Sequence, residues 1–143
     1  MATEHDLHHS RLVQIAESED GPWTIKALSD AGFSSTPKGI YKPKGSSFAL
    51  SVRRTVGSPY DDPPPFVFGS RFVAVYREER WQDDKPPYTV RALFLNRDRM
   101  VPVAYFNEVA RQSGSGPRVF ELTGLATVVD YREGWFYLEG RSS

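Results

Sequence analysis

Hydrophobic and polar positions along the chain change period several times, and those changes predict its elements. Residues 1–18 are polar apart from Leu12-Val13-Gln14-Ile15-Ala16 and read as a loosely attached leader. Asp20-Gly21-Pro22 reads as a helix start, with Asp20 near the N-cap and Pro22 in the first turn. Trp23, Ile25, Ala27 and Leu28 supply an apolar stripe, and Gly32 is placed to end the helix. After the polar linker Ser34-Ser35-Thr36-Pro37 the pattern turns largely to strand. Phe48-Ala49-Leu50-Ser51-Val52 and Phe72-Val73-Ala74-Val75-Tyr76 are short β-rich runs bounded by Gly, Pro and Ser. The prolines of Pro59-Tyr60-Asp61-Asp62-Pro63-Pro64-Pro65 exclude helix and interior strand there.

A charged loop, 77–87, carries the lone Trp81. Val90, Leu93, Phe94 and Arg97 then recur at helical spacing, predicting a short helix over 88–98. Val101 to Phe106 returns to strand, and Gln112 to Pro117 has loop composition. Leu125 to Tyr131, a turn at Arg132-Glu133-Gly134, and Trp135 to Leu138 predict a closing hairpin. These elements make an α+β fold with a strongly curved or barrel-like mixed sheet and two small helices. At 143 residues, one domain over 19–143 behind a leader over 1–18 is expected.

Composition narrows the function classes. No apolar run approaches the roughly 20 residues a membrane helix needs, and mean hydropathy is −0.48. The polar, acidic start does not resemble a secretory signal. The chain has no cysteine, so disulfides and thiolate metal sites are excluded, which is compatible with a reducing cytosol. Net charge is zero but unevenly spread. Residues 1–37 carry −4, while Lys38, Lys42, Lys44, Arg53 and Arg54 give 38–58 a charge of +5 with no acid. A local basic block on a neutral chain suits a binder that makes a few phosphate contacts. A solvated charged face is the plain alternative.

Two tyrosines (Tyr60 and Tyr76), the adjacent carboxylates Asp61 and Asp62 and this basic block fall on consecutive β-type segments. Such a set suits a pocket that grips a flat, hydrogen-bonding ring beside an anionic backbone. Each element also has a plainer reading: Tyr60-Asp61-Asp62 as a surface turn, Tyr76 as core, Trp81 as a packed lid.

The order of the pieces resembles the SRA (SET- and RING-associated) domain, especially the bacterial type found with modification-dependent HNH restriction endonucleases. The similarity runs from Gly39 to about Tyr137. It rests on Gly39-Ile40-Tyr41-Lys42-Pro43, Phe48-Ala49-Leu50-Ser51, Pro59-Tyr60-Asp61-Asp62, Val75-Tyr76-Arg77, Val90 to Asn96, Val101-Pro102-Val103 and the closing hairpin region from Val119. The chain departs from the family in having Ser58-Pro59 where a glycine pair usually precedes the pocket tyrosine. Its aromatic and acids are also packed one residue tighter than in eukaryotic members.

The resemblance implies an SRA/PUA-like fold and a non-catalytic reader of double-stranded DNA containing 5-methylcytosine or a related modified cytosine. Tyr60 and Tyr76 would sandwich the flipped base, at about 1–3 kcal/mol of stacking per base, enough to offset unpairing. Asp62, or else Asp61, would accept from the cytosine N4 amino group, which thymine lacks. Ser51 and Val52 would line a niche for the 5-methyl group. Lys42, Lys44, Arg53 and Ser51 would hold phosphates, positioning the duplex without reading it. Arg80, Trp81 and Gln82 would form the finger that probes the groove. Implied too are a cytoplasmic, nucleoid-associated location in a bacterium and a separate effector protein.

Catalytic constellations are sparse. His5, His8 and His9 all lie in the leader and lack a rigid carboxylate or cysteine frame, so no metal site is expected. Asp83-Asp84-Lys85 has no strand to aim it, and no phosphate-cradling glycine loop or nucleophile elbow is present. No enzyme activity and no cofactor are expected. The alternatives are a related PUA-like module binding RNA or phosphorothioate-modified DNA, and a small enzyme acting on a free nucleobase-like ligand.

Overall fold

The computed structural model describes residues 3–35, 39–56, 62–77, 85–109 and 117–142. In chain order the elements are α1 (Glu4–Glu17), β1 (Trp23–Thr24), α2 (Ile25–Asp30), β2 (Ile40–Tyr41), β3 (Ser51–Arg54), β4 (Phe66–Phe68) and β5 (Arg71–Arg77). They continue with α3 (Tyr88–Arg99), β6 (Val103–Val109), β7 (Val119–Arg132) and β8 (Trp135–Ser142). The fold is α+β. One mixed eight-stranded sheet runs β2-β3-β6-β7-β8-β5-β4, with β1 added against β7. All its pairings are antiparallel except β3 with β6, where Val52 faces Tyr105 and Arg54 faces Asn107.

The sheet does not close into a barrel: among the described residues β2 and β4 are its free ends. Curvature comes instead from two irregularities on β7. The partner of Tyr105 is Gly124 while that of Phe106 is Leu122, and Val128 and Asp130 face the consecutive residues Leu138 and Tyr137. One extra β7 residue at each place increases local twist.

The N-terminal segment is not a loose leader. Thr3 and Asp6 form a reciprocal capping box that starts α1. His8, Leu12 and Ile15 lie on one helical face and are buried. That stripe has only two apolar members, so a polarity pattern under-reports it. The second helix also starts later than Asp20. Trp23 and Thr24 pair with Phe120 and Val119, and the Asp20 carbonyl accepts from Leu122 N at 2.7 Å. Thr24 caps α2 by accepting from Ala27 N at 3.1 Å. Gly32 does end that helix, in a Schellman turn whose Phe33 N–H reaches the Leu28 carbonyl at 2.9 Å. The predicted helix over 88–98 is α3, and the closing hairpin is β7–β8, turning at Glu133-Gly134 with φ of 54° and 89°. Both values suit a type I′ turn.

Alternation along the strands builds two cores. Val52, Val103, Tyr105, Ala126, Val128, Phe136, Leu138, Phe72 and Ala74 pack beneath Val90 and Leu93 of α3. On the other face Leu50, Ala104, Phe106, Phe120 and Leu122 meet Leu12 and Ile15 of α1, Leu28 of α2 and Phe33. This second cover reaches β3, β6 and β7 but leaves Val73 of β5 and Val129 exposed.

A single buried amide joins helix to sheet. Asn96, fully buried on α3, accepts from Ala49 N at 2.8 Å and donates to the Ala49 and Val101 carbonyls, both at 3.0 Å. It supplies the segment leading into β3 with hydrogen bonds that no strand provides. Asn96→Leu strands three buried backbone groups, each costing about 1–3 kcal/mol. A loss of at least 3 kcal/mol is therefore expected, read as a fall in denaturant midpoint. Asn96→Asp, which keeps only the acceptor, should lose nearly as much.

His8 gives the α1 contact a pH dependence. Its Nε2 lies 2.7 Å from the Pro102 carbonyl, so that nitrogen carries the proton, and Nδ1 is buried with no partner among the described residues. Burial pushes the His8 pKa below its ordinary 6.5; the Pro102 carbonyl opposes the shift. The unfolded chain then binds the proton more readily than the folded one, so stability falls as pH drops below about 6.5 toward the lowered folded value. Melting temperatures from pH 7.5 to 5.5 should decline for the wild type more steeply than for His8→Gln.

Candidate binding site

The chemistry-bearing residues gather where β3 and β6 end side by side. Arg54 and Asn107 are register partners there, and the Arg54 guanidinium spans two acceptors. Its Nε donates to the Asp62 backbone carbonyl at 2.8 Å and its NH1 to Asn107 Oδ1 at 2.9 Å. Glu108, buried on β6, accepts from Val56 N at 2.9 Å and from Arg118 NH1 at 2.6 Å, while Arg118 also donates to the Val56 carbonyl at 2.8 Å. Val56 and Asp62 flank residues 57–61. Both flanks are thus tied to the same two-residue stretch of β6.

Asp62 is 6 % exposed, and its Oδ2 accepts from Arg77 N at 3.4 Å, a long contact. That bond sets the carboxylate beside the strand position of Tyr76. Tyr76 is half-buried, with its hydroxyl against the Gly39 backbone. A Cβ at Gly39 would collide with the Tyr76 hydroxyl and lie 3.0 Å from Cζ of its ring. The glycine therefore permits β2 and the aromatic to approach this closely. The Gly39 carbonyl in turn accepts from Arg53 N at 2.7 Å.

Tyr105 lies fully buried on β6, and its hydroxyl makes no hydrogen bond among the described residues. Burial pushes the phenol strongly up; the Arg54 charge opposes that and the Asp62 charge adds to it, so all three groups share one electrostatic neighbourhood. Burial also lowers the pKa of Arg53, partly offset by Tyr76 and Glu108.

Of the sequence-derived candidates, Asp62 is linked to the end of β5 through Arg77 N, and Tyr76 to the Arg53 backbone through Gly39. Ser51 is fully buried on β3, between Tyr41 and Ala104, and among the described residues its hydroxyl has no partner. Arg53 does not face solvent: it is 8 % exposed, donates to Ser34 Oγ and the Ser35 carbonyl, and stacks 5.4 Å from the Phe120 ring. Lys42 donates to the Ser46 carbonyl at 2.6 Å and lies 5.8 Å from the Tyr88 ring, so its charge is engaged in its own turn. Lys44 is exposed. Tyr60, Asp61, Arg80, Trp81 and Gln82 lie outside the described residues.

Arg54, Tyr105, Asn107, Glu108 and Arg118 were not singled out as site residues from sequence. The signal that could have found them is the pair Asn107-Glu108 interrupting an apolar run, matched by Arg53-Arg54 at the end of another strand. Among the described residues no group of three histidines, cysteines or carboxylates is arranged to hold a metal. Compared with known proteins, the chain matches no protein-family model and no curated protein.

What the arrangement offers is a carboxylate held through its own backbone by Arg54, beside the end of β5 that carries Tyr76. Arg54→Met keeps the aliphatic stem but leaves the Asp62 carbonyl and Asn107 Oδ1 without their donor. The expected cost is about 1–3 kcal/mol, with faster limited proteolysis between residues 55 and 62. Arg54→Lys should rescue little, because a single ammonium does not reproduce the guanidinium fork.

Proposed function

We propose that this chain is a non-catalytic reader of DNA bearing 5-methylcytosine or a related modified cytosine, taking the flipped base into a pocket that includes Asp62 and Tyr76. The supporting observation is the buried Asp62 carboxylate, fixed through its own carbonyl by Arg54 and set beside the tyrosine-bearing strand. A buried acceptor suits the N4 amino group of cytosine and penalises thymine, whose O4 would face it unpaired, by about 1–3 kcal/mol. Tyr76 supplies one aromatic face, and Tyr60 is assigned the other from the sequence order. Lys44 provides a phosphate contact from its exposed turn. The order of motifs shared with SRA domains gives the reading its ligand class.

Fluorescence anisotropy with methylated duplex, unmethylated duplex, phosphorothioate duplex and RNA at two salt concentrations tests this. The methylated duplex should bind best at both. Asp62→Ala should lose roughly tenfold or more of that preference, the size of a lost charge-assisted hydrogen bond, while melting cooperatively. Lys44→Ala should weaken all DNA binding alike and flatten its salt slope. Equal affinity of the wild type for methylated and unmethylated duplex at both salts would sink the proposal. A preference for RNA or phosphorothioate DNA would instead favour the related PUA-like module.

A further inference from the structure

The β4 end of the sheet, opposite β2 in strand order, carries an apolar edge that fits a second copy of itself. β4 contains no charge and no proline. Phe66, Val67 and Phe68 are 66 %, 52 % and 46 % exposed. Native edge strands are ordinarily guarded by charge, proline or a covering element; this one, among the described residues, has none of these along its length.

Its local geometry determines what can pair with it. The hairpin turns at Gly69-Ser70, with Gly69 at φ 61°, and Phe68 faces Arg71, Val67 faces Phe72 and Phe66 faces Val73. In a two-residue turn the closing pair is the hydrogen-bonded one, so alternation makes Phe68/Arg71 and Phe66/Val73 the bonded pairs. The N–H and C=O of Val67 therefore point away from β5, out of the sheet. Phe66 and Phe68 project to one face with ring centroids 5.6 Å apart. That face is the uncovered one: Phe68 and Val73 line an open groove of about 1090 Å³, and Phe66, Val73 and Val129 line an adjoining pocket of about 420 Å³.

We propose that the protein forms a two-fold homodimer by antiparallel pairing of β4 with β4 of a second copy, centred on Val67. In that register Val67 exchanges both backbone hydrogen bonds with its own mate. Phe66 faces Phe68 of the second copy, so four phenylalanines gather into one cluster on the uncovered face. No like charges meet, because Arg71 lies on β5, behind the edge. Pro63, Pro64 and Pro65 stop the ladder from running on, which fixes the register.

The paired edge is small. The exposed fractions of Phe66, Val67 and Phe68 correspond to roughly 300 Å² per protomer, about 600 Å² for two, a size that suits a weak, reversible dimer. Pairing β4 with the other free edge, β2, would instead be heterologous and open-ended, and would separate the phenylalanines. The interface does not depend on what the candidate site binds.

Sedimentation velocity up to high micromolar concentration should show a reversible monomer–dimer equilibrium. Val67→Lys, at an exposed position, should weaken dimerisation at least tenfold, with the wild-type melting temperature at dilutions where both proteins are monomeric. The chain has no cysteine, so single substitutions report the register directly. Directly opposed residues have Cα atoms about 5.5 Å apart in a hydrogen-bonded pair such as Val67 with its mate, and about 4.5 Å in a non-hydrogen-bonded pair such as Phe66 with Phe68, both within disulfide range. Under mild oxidation Val67→Cys should cross-link to itself, as should a mixture of Phe66→Cys with Phe68→Cys, whereas either of the latter alone and Met100→Cys on α3 should not. A monomer at every concentration, or a dimer indifferent to Val67→Lys, overturns the proposal. So does self-linking of Phe66→Cys as readily as the mixture. Should Val67→Lys fail to fold, the cysteine pattern decides.

Discussion

The Asn96 side chain holds the Ala49 backbone as a neighbouring strand would, and most of the site follows from that one amide. The segment 46–50 enters the sheet between α3 and the α1 face with no strand beside it to satisfy Ala49. A buried peptide group left unpaired would cost more than most surface interactions return. With Asn96 in place, β3 is delivered into the parallel slot beside β6 at a defined register. Register then decides chemistry: Arg54 meets Asn107, Arg53 lies over the other face, and the Arg54 guanidinium captures the Asp62 carbonyl. Because Asn96 also donates to Val101, the same amide sets where α3 stops and β6 begins.

Legibility from sequence tracked how far each element's cause lies from its own residues. α3, β5 and the β7–β8 hairpin carry their periodicity and turn residues locally, and all were legible. Gly32 was legible as a stop because the Schellman turn depends on the local chain. The start of α2 was not, since Asp20 and Pro22 look like a cap until Leu122 of β7, a hundred residues away, claims the Asp20 carbonyl. α1 was missed because its buried stripe spends one of three positions on His8, which becomes core through a bond to Pro102. Barrel-like closure was expected from the strand content, yet whether the terminal strands meet is a property of the whole sheet. β4 was hidden by the prolines before it.

The candidate site shows the same division. Asp62 and Tyr76 are named from composition and order, and the link between them is the Arg77 N–H, next along β5, which reaches Asp62 Oδ2 at 3.4 Å. Arg54 and Tyr105 were not named, because a strand arginine or tyrosine carries no mark of the partner that register will give it. The basic block over 38–58 changes most in three dimensions. Read as charge along a chain it is a +5 patch, but Arg53 and Arg54 are buried and Lys42 is turned into its own loop. Among its described members only Lys44 faces solvent. A ligand with a polyanionic backbone would meet few cations here, so affinity would have to rest on the pocket more than on counterion release.

That economy of charge bears on the β4 edge. A binder with weak backbone contacts gains most from holding two sites at once, because a second engagement becomes intramolecular once the first has formed. A dimer centred on Val67 would hold two copies of the site, each with its own Asp62 and Tyr76, in one fixed relation. The separation would be fixed by strands and not by a flexible linker, so only targets with matching spacing would engage both. The open apolar face and the sparse exposed charge would then be parts of one physical solution, in which self-association would supply binding strength that the surface electrostatics of a single copy would not.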